Sequence, residues 1–259
     1  MIVFITGAGV SKKSGIPTYR DEDGIWNKQD SSILDASIRH KNPEALEQFL
    51  SDIQKDIDVA KPNAIHHLIK KFENLYEVHI ITQNIDNLHE KAGSSSVIHM
   101  HGNIYDKRED GTRDIVLFGE DVMYQSNIIK LLDKCAYLIY VGTSGQVYPA
   151  NKFYRLTDGE RIEINLNRTI ISHDMNRVLI GDAEDKLVEL YSDLFFKKYH
   201  EELAKLDHKT KEVVNRLSRH EEDYAEHLLK HHDTYGFSKE TVKKAVRFIK
   251  DNDNGKDEI

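Results

Sequence analysis

Four polar, glycine-bearing blocks in this chain have the residue types and spacing to hold a nucleotide. Gly7-Ala8-Gly9-Val10-Ser11 runs on through Ser14-Gly15-Ile16-Pro17 to Thr18-Tyr19-Arg20. Gln83-Asn84-Ile85-Asp86 comes next, then His101-Gly102, then Gly142-Thr143-Ser144. Glycine lets the backbone approach a phosphate or ribose with no Cβ in the way. An imidazole such as that of His101 titrates near neutral pH and can take up a proton. Alone, Gly7-Ala8-Gly9 lacks the third glycine of the dinucleotide fingerprint, and such a turn also serves plain packing. The fixed order of the blocks points to one site built from several distant segments.

The flanking elements explain how those segments meet. Apolar runs at 2–6, 78–81 and 137–141 read as strands covered on both faces, and each leads directly into a block. A strand over 162–165 ends in Asn165, and 97–99 forms another short strand. Leu46, Phe49, Leu50 and Ile53 carry helical spacing over 42–58, with Pro43 at its start. Further helices are expected over 62–72, over 84–92 with Gly93 as its stop, and over 126–135. Asp110-Gly111 marks a hairpin turn inside 104–118. Strands alternating with helices predict an α/β fold, a doubly wound, parallel, Rossmann-like sheet. Side chains at the carboxyl ends of such strands converge on one crevice.

The chain has 259 residues, 39% of them apolar and 31% charged, enough for one large domain with an appendage. Its net charge of −8 gives no reason to expect a nucleic-acid or membrane surface. Cys135 is the single cysteine, which excludes an internal disulfide and suits a reducing, cytoplasmic setting. Past residue 181 the composition changes to a long helical tract. Leu203, Leu206, Val213, Leu217, Tyr224 and Leu228 are read there as one helix face, and Ser238 starts a second helix. From Phe196 onward 14 Lys and Arg balance 14 Asp and Glu, so the preceding residues carry the whole −8. The last residues, from 251, are expected to fray. His227 and His231 lie at i, i+4, a spacing open to metal, but surface histidines on a charged helix are far commoner. The metal prediction is therefore none.

The chain resembles the sirtuins, the family of NAD-dependent protein deacylases. The resemblance rests on 7–20, on Thr82-Gln83-Asn84-Ile85-Asp86-Asn87-Leu88-His89-Glu90-Lys91-Ala92-Gly93, on His101-Gly102, on Leu117-Phe118-Gly119-Glu120, on 142–150 and on Ile164-Asn165, all in the family's order. It covers roughly 1–195 and leaves 196–259 as a helical extension for packing, self-association or a helical partner. It implies a small second domain inserted at about 26–76 and 103–118. It also implies an enzyme that consumes NAD as co-substrate and acts on an acyl-lysine protein or peptide. The products would be nicotinamide, free lysine and 2′-O-acyl-ADP-ribose.

By resemblance, His101 is the general base, Asp86 and Ile85 meet the nicotinamide carboxamide, and Gln83 and Asn84 hold ribose hydroxyls. Gly7, Ala8, Gly9 and Ser11 line the diphosphate and ribose, while Tyr19 and Arg20 sit on a closing loop. Gly142, Thr143 and Ser144 hold phosphates and the adenosine ribose, Asn165 the same ribose, and Gly181-Asp182 the adenine side. Val116, Leu117, Phe118, Gly119 and Glu120 pair with the substrate peptide as an added strand. Bland roles compete: Asp86 as a helix cap, Asn165 as a strand end, Tyr19 as core. His99 shares the face of His101 but receives no chemistry, because the family carries an acidic residue there.

The departures matter. Most sirtuins carry two Cys-x-x-Cys zinc pairs where 103–117 has no cysteine, so no zinc is expected and the short hairpin replaces that module. Gly145 stands where the family prefers a larger apolar residue, and Thr18 where many members carry Asp. Members that remove acidic acyl groups carry a Tyr and an Arg where Leu50 and Ile53 stand, which favours acetyl or longer apolar groups here. An NAD glycohydrolase or ADP-ribosyltransferase on the same fold is the alternative reading. A non-enzymatic NAD-binding module ranks third.

Overall fold

The computed structural model describes residues 1–18, 31–219 and 223–253. Six parallel strands form the main sheet: β1 (Ile2–Thr6), β2 (Val78–Thr82), β3 (Val97–His99), β6 (Tyr137–Val141), β7 (Glu160–Asn165) and β8 (Arg177–Ile180). Their order is β3-β2-β1-β6-β7-β8. Every residue of β1 and β6 is buried, as expected for central strands covered on both faces. One face packs through Val3, Ile5 and Tyr140 on Ile128, Leu132 and Phe153. On β1, Phe4 meets Phe72 edge-on, with ring centroids 5.3 Å apart. The chain winds outward from β1 through β2 and β3, and outward again from β6 through β7 and β8. Strand order therefore reverses between β1 and β6, the point at which α/β sheets open a crevice beyond their carboxyl ends. β8 is an addition, because sequence analysis treats 178–181 only as a change in composition.

A second sheet is the hairpin of β4 (Gly102–Lys107) and β5 (Arg113–Ile115). Its turn is the expected one. The Gly111 N–H donates to the Arg108 carbonyl at 2.9 Å, and Asp110 accepts from the Thr112 N–H and hydroxyl at 2.9 and 2.6 Å. The strand expected through 118 stops at Ile115 instead. Beyond it Leu117 N–H is taken by the Glu120 carboxylate at 2.8 Å and Phe118 N–H by the Leu34 carbonyl at 2.8 Å, which bends the chain off the ladder.

The Pro43–Val59 helix begins at Asn42, whose side chain accepts from Ala45 N–H at 3.1 Å, with Pro43 in the first turn where no N–H is needed. It buries Leu46, Phe49, Leu50 and Ile57 against Ile104, Ile115 and Leu117 of the hairpin region. Leu50 and Ile53 thus belong to an apolar core. The Ala64–Lys71 helix is capped by Asn63, which reaches further: its amide donates to the Val10 carbonyl at 2.8 Å and to Ser14 Oγ at 2.9 Å. That ties the first glycine block to the sheet's flank. The helix expected over 84–92 shrinks to Leu88–Lys91. The chain leaves the helical path before Leu88 because the Asn84 and Ile85 carbonyls are bonded to His99 Nδ1 and Ile104 N–H.

The chain forms two compact units, Met1–Leu187 and Val188–Ile259. The single helix face read in the tail is corrected. The Ala183–Ala204 helix ends, and a new one, His208–Leu217, starts at Asp207, whose carboxylate accepts from Thr210 N–H at 2.9 Å and Thr210 Oγ1 at 2.6 Å. Helices Asp223–Lys230 and Lys239–Asp253 follow. The six periodic residues sit on separate elements yet gather in one cluster around Val213, Leu217, Leu228, Phe237 and Val242. His220, the His227 side chain and residues 254–259 lie outside the described residues. Among the described residues no helix is long and apolar enough to cross a membrane.

His66 is fully buried beside His89, ring centroids 4.9 Å apart. Burial pushes the His66 pKa down to about 4 and that of His89 well below its usual value. Between pH 6.5 and 4 the unfolded chain therefore binds more protons than the folded one, and stability falls as pH falls. For His66 alone the loss across that window is roughly 3 kcal/mol. Urea unfolding at pH 6.5, 5.5 and 4.5 should show this decline. A free energy of unfolding that stays level over that range would contradict it.

Candidate active site

Four strand ends meet at the switch point. Gly7 to Ser11 follow β1, Gln83 to Asn87 follow β2, Met100 and His101 follow β3, and Gly142 to Ser144 follow β6. The turns after β1 and β6 touch through bare backbone. Gly9 N–H donates to the Gly142 carbonyl at 2.9 Å, and a Cβ on Gly9 would lie 2.7 Å from that same oxygen. A Cβ on Gly142, whose φ is +61°, would lie 2.8 Å from Val10 N. Glycine is required here for the two turns to close on each other.

Buried polar side chains knit these ends together. Ser11 Oγ donates to Asp86 Oδ2 at 2.8 Å and lies 3.1 Å from Asn84 Nδ2, which donates to it. Asn84 Nδ2 also reaches the Gly7 carbonyl at 3.2 Å. Gln83 Nε2 donates to Thr143 Oγ1 at 3.0 Å, joining the end of β2 to that of β6. Asn165 Nδ2 donates to the Thr143 carbonyl at 2.6 Å, while its Oδ1 accepts from Leu166 N–H at 2.9 Å. Ser11, Gln83, Asn84, Asp86 and Thr143 are all buried. Asp86 fulfils the capping role too, accepting from Leu88 N–H at 3.1 Å. Burial raises its pKa, against the pull of the Leu88 N–H and the Ser11 hydroxyl.

The ring of His101 is oriented by one bond. Its Nδ1 lies 3.0 Å from the Gln83 carbonyl, and a carbonyl only accepts, so Nδ1 carries the proton. Nε2 then holds the lone pair and has no hydrogen-bond partner among the described residues. Burial lowers the pKa, with the Gln83 bond opposing, so the ring is neutral at pH 7. Gly102 follows at φ +81°, where a Cβ would collide with the Asp114 carbonyl. The His-Gly pair therefore marks the place where the chain leaves β3 and enters the hairpin.

Other predicted residues fall around this centre. Gly181-Asp182 follows β8, and Lys13 Nζ reaches Asp182 at 2.8 Å and Glu184 at 3.0 Å, tying the first block to that turn. A side chain at Gly145 would press on Thr169 and Ile171 at 3.0 and 3.1 Å, which explains the small residue there. Val116 N–H donates to the His101 carbonyl at 2.9 Å, so the 116–120 segment starts beside the His101 backbone. Tyr19 and Arg20 lie outside the described residues.

Three participants escaped sequence reasoning. Thr82 Oγ1 accepts from Asn84 N–H at 3.0 Å, Asn63 tethers Ser14, and His99 Nδ1 donates to the Asn84 carbonyl at 3.0 Å. A polar residue at a buried strand end, as at Thr82 and His99, is the signal that could have found two of them.

Among the described residues no group of three or more His, Cys, Asp or Glu is placed to hold a metal ion. An NAD-sized dinucleotide fits the donor set chemically. Amides, hydroxyls and glycine backbone suit ribose and diphosphate, and a buried carboxylate suits an amide N–H.

A model of the Sir2 family matches residues 7–108. An NAD-dependent protein deacylase of Bdellovibrio bacteriovorus is 38% identical over 221 residues, covering 72% of this chain and 93% of that protein. A Sir2 homologue variant in complex with ADP-ribose superposes with a TM-score of 0.70 at 29% identity, covering 80% of this chain and 94% of that one. A Sir2 variant with a deacetylated p53 peptide and 3′-O-acetyl-ADP-ribose gives 0.66 at 28% identity, covering 74% and 93%.

Ser11→Ala removes the donor to Asp86 and the acceptor for Asn84 at once. It should cost about 1–3 kcal/mol of stability and push the Asp86 carboxyl titration further up. Urea unfolding with carboxyl-detected NMR would show both. A change under about 0.5 kcal/mol would contradict the network as described.

Proposed function

Because this chain belongs to the Sir2 family, the sirtuins, we propose that it is an NAD-dependent protein deacylase whose site lies where β1, β2, β3 and β6 end. The observation that carries the reading is His101, a neutral ring whose Nδ1–H is committed to the Gln83 carbonyl and whose Nε2 is a free base. In the reaction NAD loses nicotinamide as the carbonyl oxygen of the acyl-lysine captures the ribose carbon. A ribose hydroxyl then attacks the acyl carbon and displaces the lysine amine, and one water is consumed to give nicotinamide, lysine and 2′-O-acyl-ADP-ribose.

The chain's own residues have separate tasks. His101 Nε2 takes a proton from a ribose hydroxyl. Asp86 and the backbone at Ile85 bind the carboxamide in a dry pocket, with the Ser11 hydroxyl supporting the carboxylate. Gln83 and Asn84, braced on Thr143 and on Gly7 and Ser11, orient the nicotinamide ribose. Ala8, Gly9, Gly142, Thr143 and Ser144 offer N–H and hydroxyl groups to phosphate, and Asn165, Gly181 and Asp182 serve the adenosine end. Tyr19 and Arg20 are assigned to the nicotinamide ribose by the family resemblance alone.

The peptide adds along 116–120, where the carbonyls of Val116 and Gly119 accept no bond among the described residues and Phe118 is 48% exposed. The apolar pair Leu50 and Ile53 supports acetyl or longer apolar acyl groups over acidic ones. We extend the proposal to a zinc-free small domain. Its hairpin region is held by Arg39 on Glu120 at 2.7 Å, Arg108 on Asp114 at 3.1 Å and Arg113 on Glu47 at 3.0 Å, with no thiolate. We further propose a catalytic part over 1–195, a helical extension over 196–259 open to self-association, a cytoplasmic setting, and no nucleic-acid or membrane partner.

Nicotinamide release from NAD should depend on an acetyl-lysine peptide, and mass spectrometry should find acyl-ADP-ribose. His101→Ala should cut turnover by about 10²–10⁴ while keeping NAD binding. The base works unprotonated and its pKa is lowered, so kcat/KM should rise with pH through a midpoint below 6.5 and then level off. NAD consumption that ignores the peptide would instead favour a glycohydrolase or ADP-ribosyltransferase.

A further inference from the structure

His99 and His101 hold adjacent carbonyls, yet their rings carry different charge. His101 donates from Nδ1 to the Gln83 carbonyl and keeps Nε2 as a base. His99 donates from Nδ1 to the Asn84 carbonyl at 3.0 Å, and its Nε2 lies 2.6 Å from Glu90 Oε1. A carbonyl oxygen and a carboxylate both accept only, so both His99 nitrogens carry protons and the ring is an imidazolium. It is 9% exposed, and the Glu90 side chain, 41% exposed, supplies the countercharge from the Leu88–Lys91 helix. Burial pushes toward loss of the proton, but the Glu90 contact, the Asn84 bond and the Asp86 charge together outweigh it and raise the ring's pKa. The other titratable neighbours are Asp86 and His89, and the Asn103 amide comes within 3.4 Å of Nε2.

We propose that His99, charged through its ion pair with Glu90, is a positioning residue that sets the loop carrying Gln83, Asn84 and Asp86 for NAD. The proposal rests on the deacylase reading of this site and adds a residue to it. A charge-assisted N–H···O bond is roughly twice as strong as a neutral one, so the Asn84 carbonyl is held firmly. With that carbonyl fixed, the Asn84 amide stays on Gly7 and Ser11. The same positive charge favours the ionised form of Asp86, the acceptor that an amide N–H requires. His99 thus acts through Asn84 and Asp86 and touches neither reacting atom.

Glu90→Ala and Glu90→Gln separate this role from plain structural support. A Gln amide donates to Nε2 of a neutral His99 ring, so Nδ1 keeps its proton and its hold on Asn84. Alanine leaves a neutral ring whose bond to the Asn84 carbonyl loses its charge assistance and whose Nε2 loses the side chain that anchors it. Calorimetric titration with NAD at pH 6.5 should show about tenfold weaker binding for Glu90→Ala and an intermediate loss of about threefold for Glu90→Gln, which keeps the Nδ1 proton but not the charge. With NAD saturating and an acetyl-lysine peptide present, kcat of Glu90→Ala should recover to within about threefold. His99→Phe, which keeps the ring's volume and donates nothing, should lose NAD affinity like Glu90→Ala. The proposal is overturned if Glu90→Ala binds NAD like the parent, if Glu90→Gln is as impaired as Glu90→Ala, or if Glu90→Ala fails to fold. A parent protein that binds NAD tightly but deacylates nothing would sink the deacylase reading while the affinity comparison still decides this one. A parent that does not bind NAD would sink both.

Discussion

Three successive carbonyls, those of Gln83, Asn84 and Ile85, are held by three donors from one short stretch: His101 Nδ1–H, His99 Nδ1–H and Ile104 N–H, each within 3.0 Å. This pinning is the constraint on which the site depends. A chain leaving a parallel strand would otherwise satisfy those carbonyls by winding into the next helix. Here the helix is delayed to Leu88, and the residues before it turn their side chains toward the ends of β1 and β6. The same bonds commit each imidazole to one orientation, so the backbone that displays the polar side chains also fixes the tautomer of the proposed base, His101.

Electrostatics follow from this arrangement. The side chains of the site are buried, and burial works against every charge among them. His101 is neutral, which suits a base. Asp86 is sustained by the Ser11 hydroxyl, the Leu88 N–H and the nearby His99 charge. His99 keeps its proton because Glu90 sits against it. The region around β4 and β5 answers a different need. Its hairpin is bound to the 117–120 segment through Glu120, which receives Arg39 and Leu117 N–H, while Arg39 also reaches the Ile115 carbonyl. Partly buried bidentate guanidinium pairs of this kind have the geometry to fix a loop where isolated surface pairs do not.

Much of this was legible in the sequence, and the remainder has identifiable causes. Three of the six main strands show as apolar runs because parallel central strands are buried on both faces, two more show as short strands, and the hairpin shows because Asp110-Gly111 has few other uses. β8 is short and at the edge, and its run Val178-Leu179-Ile180 is half-buried to exposed rather than covered on both faces. The 84–92 stretch has the composition of a helix, and only the distant donors at 99–104 reveal why it is mostly a loop. The apolar period of the tail is real, but Asp207 offers its carboxylate to the next turn and breaks one helix into two while the apolar residues still converge. His99 was set aside because it departs from the family's residue type. Its partner Glu90, nine positions earlier, becomes visible only when β3 is laid beside β2.

The claim that a backbone bond sets the base is open to one direct measurement. Nitrogen-15 NMR of the imidazoles in the free protein at pH 7.5 reports which ring nitrogen of His101 bears hydrogen. The bond to Gln83 requires a neutral ring protonated at Nδ1, with Nε2 showing the shift of an unprotonated nitrogen. A ring protonated at Nε2, or one carrying both protons at that pH, would contradict the account.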